Sequence, residues 1–512
     1  MFKLRDYQED IKTLIRNALK TSKSVIACAP TRSGKTVVFA DIAKRMENAE
    51  KKVLILTHRQ EILEQIIKAL TNMGISSGQI VSGKYITKNL IMVGMIQTVH
   101  NKLKKQDRMV DKFKFKSFEI IEKPDLIIGD EVHHCVSKTW KEVFLYFGDV
   151  PRIGFTATPE RLDGSGLCEL FEKLVIGRST KWMVDNYWLS KPVHLCPQSP
   201  LDKASLKMRM GDYDKQSMSE IMKKHVVCAD VVKSYREFFD GAPVIVFCCT
   251  IDHAEQMMIA YKNDNWNPVL IHGKMKSKQR NEAMTGFRDG VFNQLISVDL
   301  IGEGIDVPVC SGVQLLRKTA SLSLYLQMSA RGLTPVYADG YDLENYEQRK
   351  TALQKGKPEA IILDHAGNYW AHGSITKVRD WSINHKKRNN KEKNVIKKVT
   401  CPTCFFDWEI EIKKCPNCNH DFDVARNQKK EFEMHELKEK LVNVNEIEEM
   451  EAESLSKVIL RIKDYSNSKN AMFAILHQKI KDGENNMKHK IDAMCSGLGY
   501  KDGYKHRVWS HL

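Results

Sequence analysis

The chain has 512 residues, of which 42% are apolar and 28% are charged, so it is long enough for about three or four folded units and has the composition of a globular protein. It contains no run of about 18 apolar residues and begins without an apolar signal segment, so we expect a cytosolic protein and no membrane partner. The formal net charge of +16 instead predicts an anionic partner such as nucleic acid.

Short runs of apolar and β-branched residues alternate with helix-length segments or loops between residues 24 and 158. This alternation is typical of a doubly wound, mostly parallel sheet with crossover helices. In chain order the predicted strands are "SVIAC", "KVLIL", "LIMVG", "DLIIGDE" and "IGFTAT". We therefore predict a first α/β domain at residues 1–180.

The segment "APTRSGKT", residues 29–36, follows the first predicted strand and precedes a predicted helix. This is the context of a phosphate-binding loop, whose backbone N–H groups and helix dipole hold phosphate oxygens. Lys35 would reach the β and γ phosphates of ATP, and Thr36 would hold Mg²⁺ through its hydroxyl group. Ala29 stands where the strict pattern has glycine, whereas the tight turn before the helix keeps its glycine. The predicted nucleotide contacts of the loop are Thr31, Ser33, Gly34, Lys35 and Thr36.

Two acids, Asp130 and Glu131, end the strand "DLIIGDE" and are followed by "VHH". Acids at the carboxyl end of a parallel strand lie at the crevice where such sheets bind ligands. Asp130 can hold hydrated Mg²⁺, and Glu131 is placed to orient and deprotonate an attacking water. A polar strand exit is the plain alternative, but the pairing with a phosphate loop favours a site of ATP hydrolysis.

The strand pattern fades in a polar connecting segment at residues 181–225 and then returns. The later predicted strands are "PVIVFCC", "PVLIHG", "QLISVD", "GVQLLR" and "AIILDH". They predict a second α/β domain at residues 226–384, similar to the first and in series with it.

The residues beyond 384 differ in character from the two α/β domains. A basic linker at residues 385–400, either a solvated tether or a phosphate contact, precedes a cysteine-rich segment at 401–420 and a charged, helical region at 421–512. The spacing of Cys401, Cys404, Cys415 and Cys418 predicts two turns that close a tetrahedral Zn²⁺ site. Such a zinc ribbon would be a docking or nucleic-acid-binding accessory, or a purely structural element between the domains and the tail.

Taken together, the motifs between residues 4 and 335 resemble those of superfamily 2 helicases and translocases, in the branch with a two-histidine acid motif. "LRDYQ" (4–8) looks like the adenine-reading motif, "APTRSGKT" like motif I, "LTHRQEILEQ" like motif Ia, "DEVHH" like motif II and "FTATP" like motif III. In the second domain, "VIVFCCT", "DLIGEGIDVP" and "QMSARGLTP" look like motifs IV, V and VI. The resemblance implies two tandem RecA-like domains with the nucleotide between them.

The resemblance also implies roles for residues of the second domain. Arg331 would reach the γ phosphate and stabilise the charge that develops in phosphoryl transfer. Gln327 would meet His133 across the cleft and signal that the domains have closed. Asp306 would lie near the ribose, and Gly304 belongs to the same motif.

At the start of the chain, the resemblance implies that Arg5 and Gln8 contact adenine. Nucleic acid would lie across both domains on the face opposite the sheet ends, with contacts to the backbone and therefore no base specificity. The candidate nucleic-acid contacts, each of which could be an ordinary loop residue, are His58, Arg59, Gln97, Thr98, Thr250, Gly273 and Ser297.

Two positions depart from the family pattern. Thr334 stands where a second arginine is usual, and Val298 stands where a phosphate-touching threonine is common, which is why Ser297 is the candidate there. The loss of one charge would slow hydrolysis or leave the work to another residue.

We predict an ATP-dependent helicase or translocase that moves on, or remodels, branched or single-stranded DNA. The zinc ribbon and tail resemble those of bacteriophage helicases, which implies the cytosol of a bacterial or phage-infected cell and a possible protein partner. The alternatives are the motor subunit of a restriction or defence complex, an RNA helicase, and a nucleotide-gated DNA clamp with little turnover. Thr334 and Val298 favour the clamp.

Overall fold

In the computed structural model of the chain, residues 4–384 are described apart from internal gaps, and three two-residue strands are described beyond them. The gaps are residues 83, 86–88, 109–120, 136, 161–165, 197–207, 210–211, 223–224 and 301–309. The predicted zinc ligands Cys401, Cys404, Cys415 and Cys418 lie outside the described residues, as do Gly304 and Asp306. Their roles therefore stay predictions.

The first domain is an eight-stranded sheet in the order β4-β3-β5-β2-β6-β7-β1-β8. All neighbouring strands are parallel except β3 and β4, which pair antiparallel. Its elements are α1 Asp6–Leu19, β1 Ser24–Cys28, α2 Lys35–Asn48, β2 Val53–Thr57, α3 Gln60–Asn72, β3 Ser77–Val81, β4 Lys84–Tyr85, β5 Ile91–Met95, α4 Ile96–Arg108, β6 Leu126–Asp130, α5 Lys138–Phe147, β7 Arg152–Thr156 and β8 Lys173–Ile176.

Helices cover both faces of this sheet because its central strands are apolar on both sides. β1, β2 and β6 are buried at every position, as expected for a parallel sheet between two helical layers. Ile55 packs in a cluster with side chains of α2 and α3, whereas its neighbour Leu54 packs in a second cluster with side chains of α4 and α5. The continuous apolar runs noted in the sequence are therefore buried strands.

The second domain is a seven-stranded sheet in the order β13-β14-β12-β15-β16-β9-β19, parallel except for the pair β9 and β19. Its elements, with those that join it to the first domain, are α6 Thr180–Asp185, β9 Lys191–Cys196, β10 Met208–Arg209, β11 Asp212–Tyr213, α7 Lys215–Met222, α8 His225–Phe238, β12 Val244–Phe247, α9 Ile251–Asn263, β13 Pro268–His272, α10 Ser277–Arg288, β14 Gln294–Val298, β15 Gly312–Leu315, α11 Leu322–Ala330, α12 Tyr346–Lys355, β16 Glu359–Leu363 and α13 Tyr369–His372. Three further strands are β17 Val399–Thr400, β18 Asp407–Trp408 and β19 Val442–Asn443. The two parallel sheets confirm the predicted α/β fold.

The second sheet takes one strand from the segment that the sequence assigned to the connection between domains. β9, within residues 181–225, pairs in parallel with β16, and Leu195 and Cys196 are buried. Its sequence "KPVHLC" mixes polar and apolar residues, so the pattern alone gave no strand there. The second domain therefore includes a strand that precedes residue 226.

The chain returns to the first domain after it has completed the second. Ile383 packs in the first domain's cluster, and its carbonyl oxygen accepts hydrogen bonds from the backbone N–H of Leu167 at 2.7 Å and of Cys168 at 3.0 Å. Residues 374–384 thus form a second covalent path between the domains. Within the part of the chain that the structure describes, no helix is long and apolar enough to cross a bilayer.

Candidate active site

The phosphate loop has the backbone turn that its sequence predicts. Gly34 has a φ of +79° and directly precedes α2, so the loop enters the helix through a left-handed residue. The Lys35 ammonium lies 3.4 Å from the carbonyl oxygen of Ala29 and 3.7 Å from Glu131 Oε1. Both side chains of this ion pair are 10% exposed. The structure thus brings the predicted phosphate-binding lysine and the predicted base together in one buried cleft.

The two predicted acids lie at the carboxyl end of β6. Burial, and next to it the charge of Glu131, raise the pKa of Asp130 above its usual range. Glu131 has a φ of +50°, a left-handed conformation that is uncommon outside glycine and is found at functional sites. Two adjacent buried carboxylates facing one ammonium leave negative charge to be neutralised. This donor set fits Mg²⁺, which binds one or two carboxylates together with phosphate oxygens.

Gln8 connects the first helix to the phosphate loop. Its side-chain N–H donates to the carbonyl oxygen of Ser33 at 3.2 Å, and its Oε1 accepts from the backbone N–H of Arg5 at 3.1 Å. The Arg5 guanidinium lies 4.3 Å from the centre of the Trp188 ring. In the structure Gln8 therefore contacts the phosphate loop, and Arg5 contacts the segment between the domains. These are the two residues that the resemblance assigned to adenine.

We expect Gly34→Ala to lower the affinity for ATP by about 10- to 100-fold, since left-handed alanine is strained by about 1–2 kcal/mol and a lost hydrogen bond adds about 1 kcal/mol. A Cβ atom at Gly34 would lie 2.4 Å from Gln8 Nε2, so the Gln8 contact would be displaced. Gly74→Ala is a matched control, since Gly74 has a φ of +70° with no atom within 4 Å of the added Cβ. Equal ATP affinity of the two variants, measured by titration after a melting curve, would contradict this account.

A chain of polar contacts runs from the acid motif to the second domain. His133 Nδ1 lies 3.2 Å from Glu131 Oε2 and 3.1 Å from Thr156 Oγ1. The Thr156 hydroxyl accepts a hydrogen bond from the Thr158 backbone N–H at 3.1 Å. The Thr158 hydroxyl then donates to Ser323 Oγ at 2.7 Å. Because Ser323 belongs to α11, the helix that precedes Arg331, the acid motif is linked to the position of that helix.

Gln327 and Arg331 lie at the end of α11 and are 2% and 5% exposed, respectively. The hydrogen bond that the sequence predicted between Gln327 and His133 is not formed among the described residues. The Gln327 amide has no hydrogen-bond partner among the described residues. The link between the domains therefore runs through Thr158 and Ser323, which the sequence did not single out as a pair.

The segment "LDHAGN", residues 363–368, fixes the loop that precedes α11. The buried Asp364 carboxylate accepts from Asn368 Nδ2 at 2.9 Å and from the Tyr369 backbone N–H at 2.8 Å. Asn368 Oδ1 in turn accepts from the backbone N–H of Thr319 at 2.9 Å. The Thr319 hydroxyl also donates to the Asp212 carboxylate, with oxygens at 3.0 and 3.2 Å. The sequence pattern carried no signal for this role of Asp212.

The candidate nucleic-acid contacts follow the carboxyl ends of strands. His58 and Arg59 follow β2, Gln97 and Thr98 follow β5 by one residue, and Thr250 and Gly273 come after β12 and β13. These residues therefore lie at the carboxyl ends of the strands, which in the first sheet is also where the phosphate loop lies. The face that nucleic acid would occupy stays a prediction.

The surroundings of three of these candidates bear on their roles. Ser297 is 1% exposed inside β14, so its hydroxyl is buried and not at the surface that nucleic acid would contact. The Thr250 hydroxyl accepts from the backbone N–H of His253 at 3.1 Å and lies 2.8 Å from Ser219 Oγ. Thr250 is thus the N-cap of α9. Arg59 makes a contact between domains, from its Nη1 to the carbonyl oxygen of Leu300 at 3.5 Å.

Comparison with known proteins agrees with the fold and with the motifs. Residues 1–161 match the family described as "Type III restriction enzyme, res subunit", and residues 228–333 match the "Helicase conserved C-terminal domain". These two domains define an ATP-hydrolysing helicase. Membership of such a family implies ATP and Mg²⁺ as cofactors, and the related helicases act on nucleic acid. The chain belongs to the superfamily 2 helicases, as its motifs predicted.

Among its relatives, the "51.5 kDa protein" of Lactococcus phage (isolate 7-9) is 30% identical over 466 residues, which cover 90% of each chain. The "Putative ATP-dependent helicase IRC3" of Saccharomyces cerevisiae is 26% identical over 351 residues, which cover 64% of this chain and 49% of that protein. A similar fold is found in "the fragment structure of a putative HsdR subunit of a type I restriction enzyme from Vibrio vulnificus YJ016". That structure has 20% identity, a TM-score of 0.53, and coverage of 72% of this chain and 65% of that one.

Proposed function

We propose that the protein is an ATP-driven DNA motor in which closure of the two domains completes the hydrolytic site. The observation that carries this proposal is the series of contacts from Glu131 through His133 and Thr156 to the pair Thr158 and Ser323. This series joins the residue beside the attacking water to the helix before Arg331. A change at the acid motif would therefore shift the second domain, and movement of that domain would alter the acid motif.

Within this proposal each site residue has one task. Lys35 would hold the β and γ phosphates, and Glu131, 3.7 Å from its ammonium, would act as the base beside them. Thr36 and Asp130 would hold Mg²⁺, which would supply positive charge to the phosphates. Arg331 completes the site from α11 and stabilises the charge of the transition state. Thr31, Ser33 and Gly34 supply the loop around the phosphates.

DNA is the nucleic acid that we propose as substrate. The net charge of +16 suits a polyanionic track, and the first domain matches the res subunit of a restriction enzyme. The strand would cross the carboxyl edges of β2 and β5 in the first sheet, near Arg59 and Gln97, and of β12 and β13 in the second.

We expect single-stranded or forked DNA to stimulate ATP hydrolysis at lower concentration than RNA of the same length. Unlabelled DNA should displace a labelled strand better than RNA does. Backbone contacts predict that affinity falls by about 10³-fold or more between 50 and 200 mM salt if six or more phosphates are contacted. Tighter binding and stronger stimulation by RNA would contradict the DNA assignment while leaving the ATPase intact.

A nucleotide-gated DNA clamp with little turnover is the second candidate, because Val298 in motif V and Thr334 in motif VI depart from the family pattern. Thr334 Oγ1 lies 3.5 Å from the carbonyl oxygen of Arg331, so the residue at the second arginine position faces its own turn. Val298 is 6% exposed and belongs to the sheet interior. Binding of DNA that depends on ATP, without stimulated turnover, would favour the clamp.

A further inference from the structure

Lys357, which matches none of the helicase motifs, binds the turn that follows Arg331. Its ammonium donates to the carbonyl oxygen of Gly332 at 2.5 Å, to that of Thr334 at 3.1 Å, and to that of Cys310. An ammonium group has three N–H donors, so each donor has one carbonyl partner. Gly332 and Thr334 belong to motif VI, whereas Cys310 follows the motif V segment. One side chain therefore ties the ends of both motifs together.

The backbone that carries Lys357 is held in place. The Lys357 N–H donates to the carbonyl oxygen of Val336 at 2.9 Å, and its own carbonyl oxygen accepts from Ser190 Oγ at 2.7 Å. A Cβ atom at the preceding Gly356 would lie 2.1 Å from the Val336 carbonyl oxygen. The two segments therefore approach more closely than a residue with a side chain at position 356 would allow. The backbone from which the Lys357 side chain extends is therefore fixed by these contacts.

The turn itself is closely packed. The Ser190 N–H donates to the carbonyl oxygen of Leu333 at 3.0 Å, and the Cys310 thiol lies 3.7 Å from the carbonyl oxygen of Arg331. A Cβ atom at Gly332 would lie 3.3 Å from the Cα atom of Gly312. Carbonyl groups at the end of α11 carry the negative end of the helix dipole, which a buried ammonium stabilises. A shift of Lys357 would therefore change the direction in which Arg331 leaves its helix.

We propose that Lys357 is a positioning residue for ATP hydrolysis: its ammonium fixes the turn after α11 and thereby aims Arg331 at the phosphates. The inference rests on the proposed role of Arg331. In a site where geometry decides the rate, a misplacement of about 1 Å costs about 100-fold. The position that lacks the family's second arginine, Thr334, is thus held by a lysine that binds its backbone.

The contacts between the Lys357 ammonium and the turn after α11 depend on pH. Burial is the main cause that lowers the pKa of Lys357 to about 8, and the Arg32 guanidinium acts in the same direction. Burial raises the pKa of the neighbouring Cys310 thiol. As pH rises through about 8 the ammonium loses one proton, and a nitrogen lone pair then faces a carbonyl oxygen. The turn loosens above that pH.

The test is the rate of stimulated ATP hydrolysis by Lys357→Met, which keeps the length of the side chain without its charge. We expect kcat to fall about 10- to 100-fold, with KM for ATP within about twofold. Lys355→Met, in the same helix-to-strand segment but exposed, is the control and keeps the wild-type rate. Combined with Arg331→Ala, Lys357→Met should have almost no further effect, because it acts through Arg331.

The wild-type pH profile provides a second measurement that needs no variant. We expect kcat to fall as pH rises through about 8, and Lys357→Met to lack this fall. An unchanged kcat in folded Lys357→Met, a full additional loss in the double variant, or a flat wild-type profile would overturn the inference. If Arg331→Ala alone had no effect, the proposed role of Arg331 would fail instead.

Discussion

Arg331→Ala is expected to lower nucleic-acid-stimulated ATP turnover by about 10³-fold or more, the size of effect that arginine fingers have on phosphoryl transfer. In the proposed mechanism the Arg331 charge acts at the transition state, so its loss should change the affinity for ATP little. The residue is 5% exposed and directly follows α11, whose Ser323 touches Thr158 of the first domain. Turnover is measured at saturating ATP and nucleic acid, and ATP affinity by titration.

Arg288→Ala is the matched control for that experiment. Arg288 is an exposed arginine in the last turn of α10, so its removal takes the same charge from the second domain without touching the cleft. If Arg331→Ala retained the turnover of Arg288→Ala, Arg331 would have no role in hydrolysis. A parallel loss of ATP binding would instead indicate a general contact with the nucleotide.

Glu131→Gln is expected to reduce kcat by about 10²- to 10⁴-fold, the usual contribution of a general base. Glutamine keeps the shape of the side chain but cannot accept the proton of water. ATP binding should persist or tighten, since Lys35 loses its partner at 3.7 Å and becomes available to phosphate. The charge of Glu131 raises the pKa of Asp130, so the variant should also keep Asp130 ionised to lower pH.

Glu169→Gln serves as the control for this variant, because Glu169 is an exposed carboxylate of the same domain that pairs with Lys141 at 2.5 Å. It should hydrolyse ATP at the wild-type rate. The role of Glu131 as base would be refuted by a Glu131→Gln variant that binds ATP and turns it over like Glu169→Gln.

Local patterns made the nucleotide half of the site predictable from sequence. A phosphate loop needs a strand, a glycine turn and a helix in close succession, and residues 24–48 contain all three. The adjacent acids at the end of a buried strand were equally visible. In both cases the function depends on neighbours along the chain, and the structure places Lys35 and Glu131 together.

The features of the site and fold that could not be predicted from the sequence depend on contacts between residues far apart in the chain. Ser323 and Thr158 are 165 residues apart, and each is an ordinary hydroxyl in its own segment. Lys357 looks like any lysine before a strand, since its three carbonyl partners come from two other segments. β9 was missed for the same reason, because its strand pairing with β16 and not its own pattern defines it.

Whether the protein is a DNA-stimulated ATPase is decided by ATP hydrolysis of the purified protein alone and with single-stranded DNA, forked DNA or RNA. Lys35→Ala, prepared in the same way, controls for contaminating ATPases. We expect turnover that DNA stimulates strongly and that Lys35→Ala lacks. Turnover no higher than that of Lys35→Ala with every nucleic acid, while ATP still binds, would contradict this expectation.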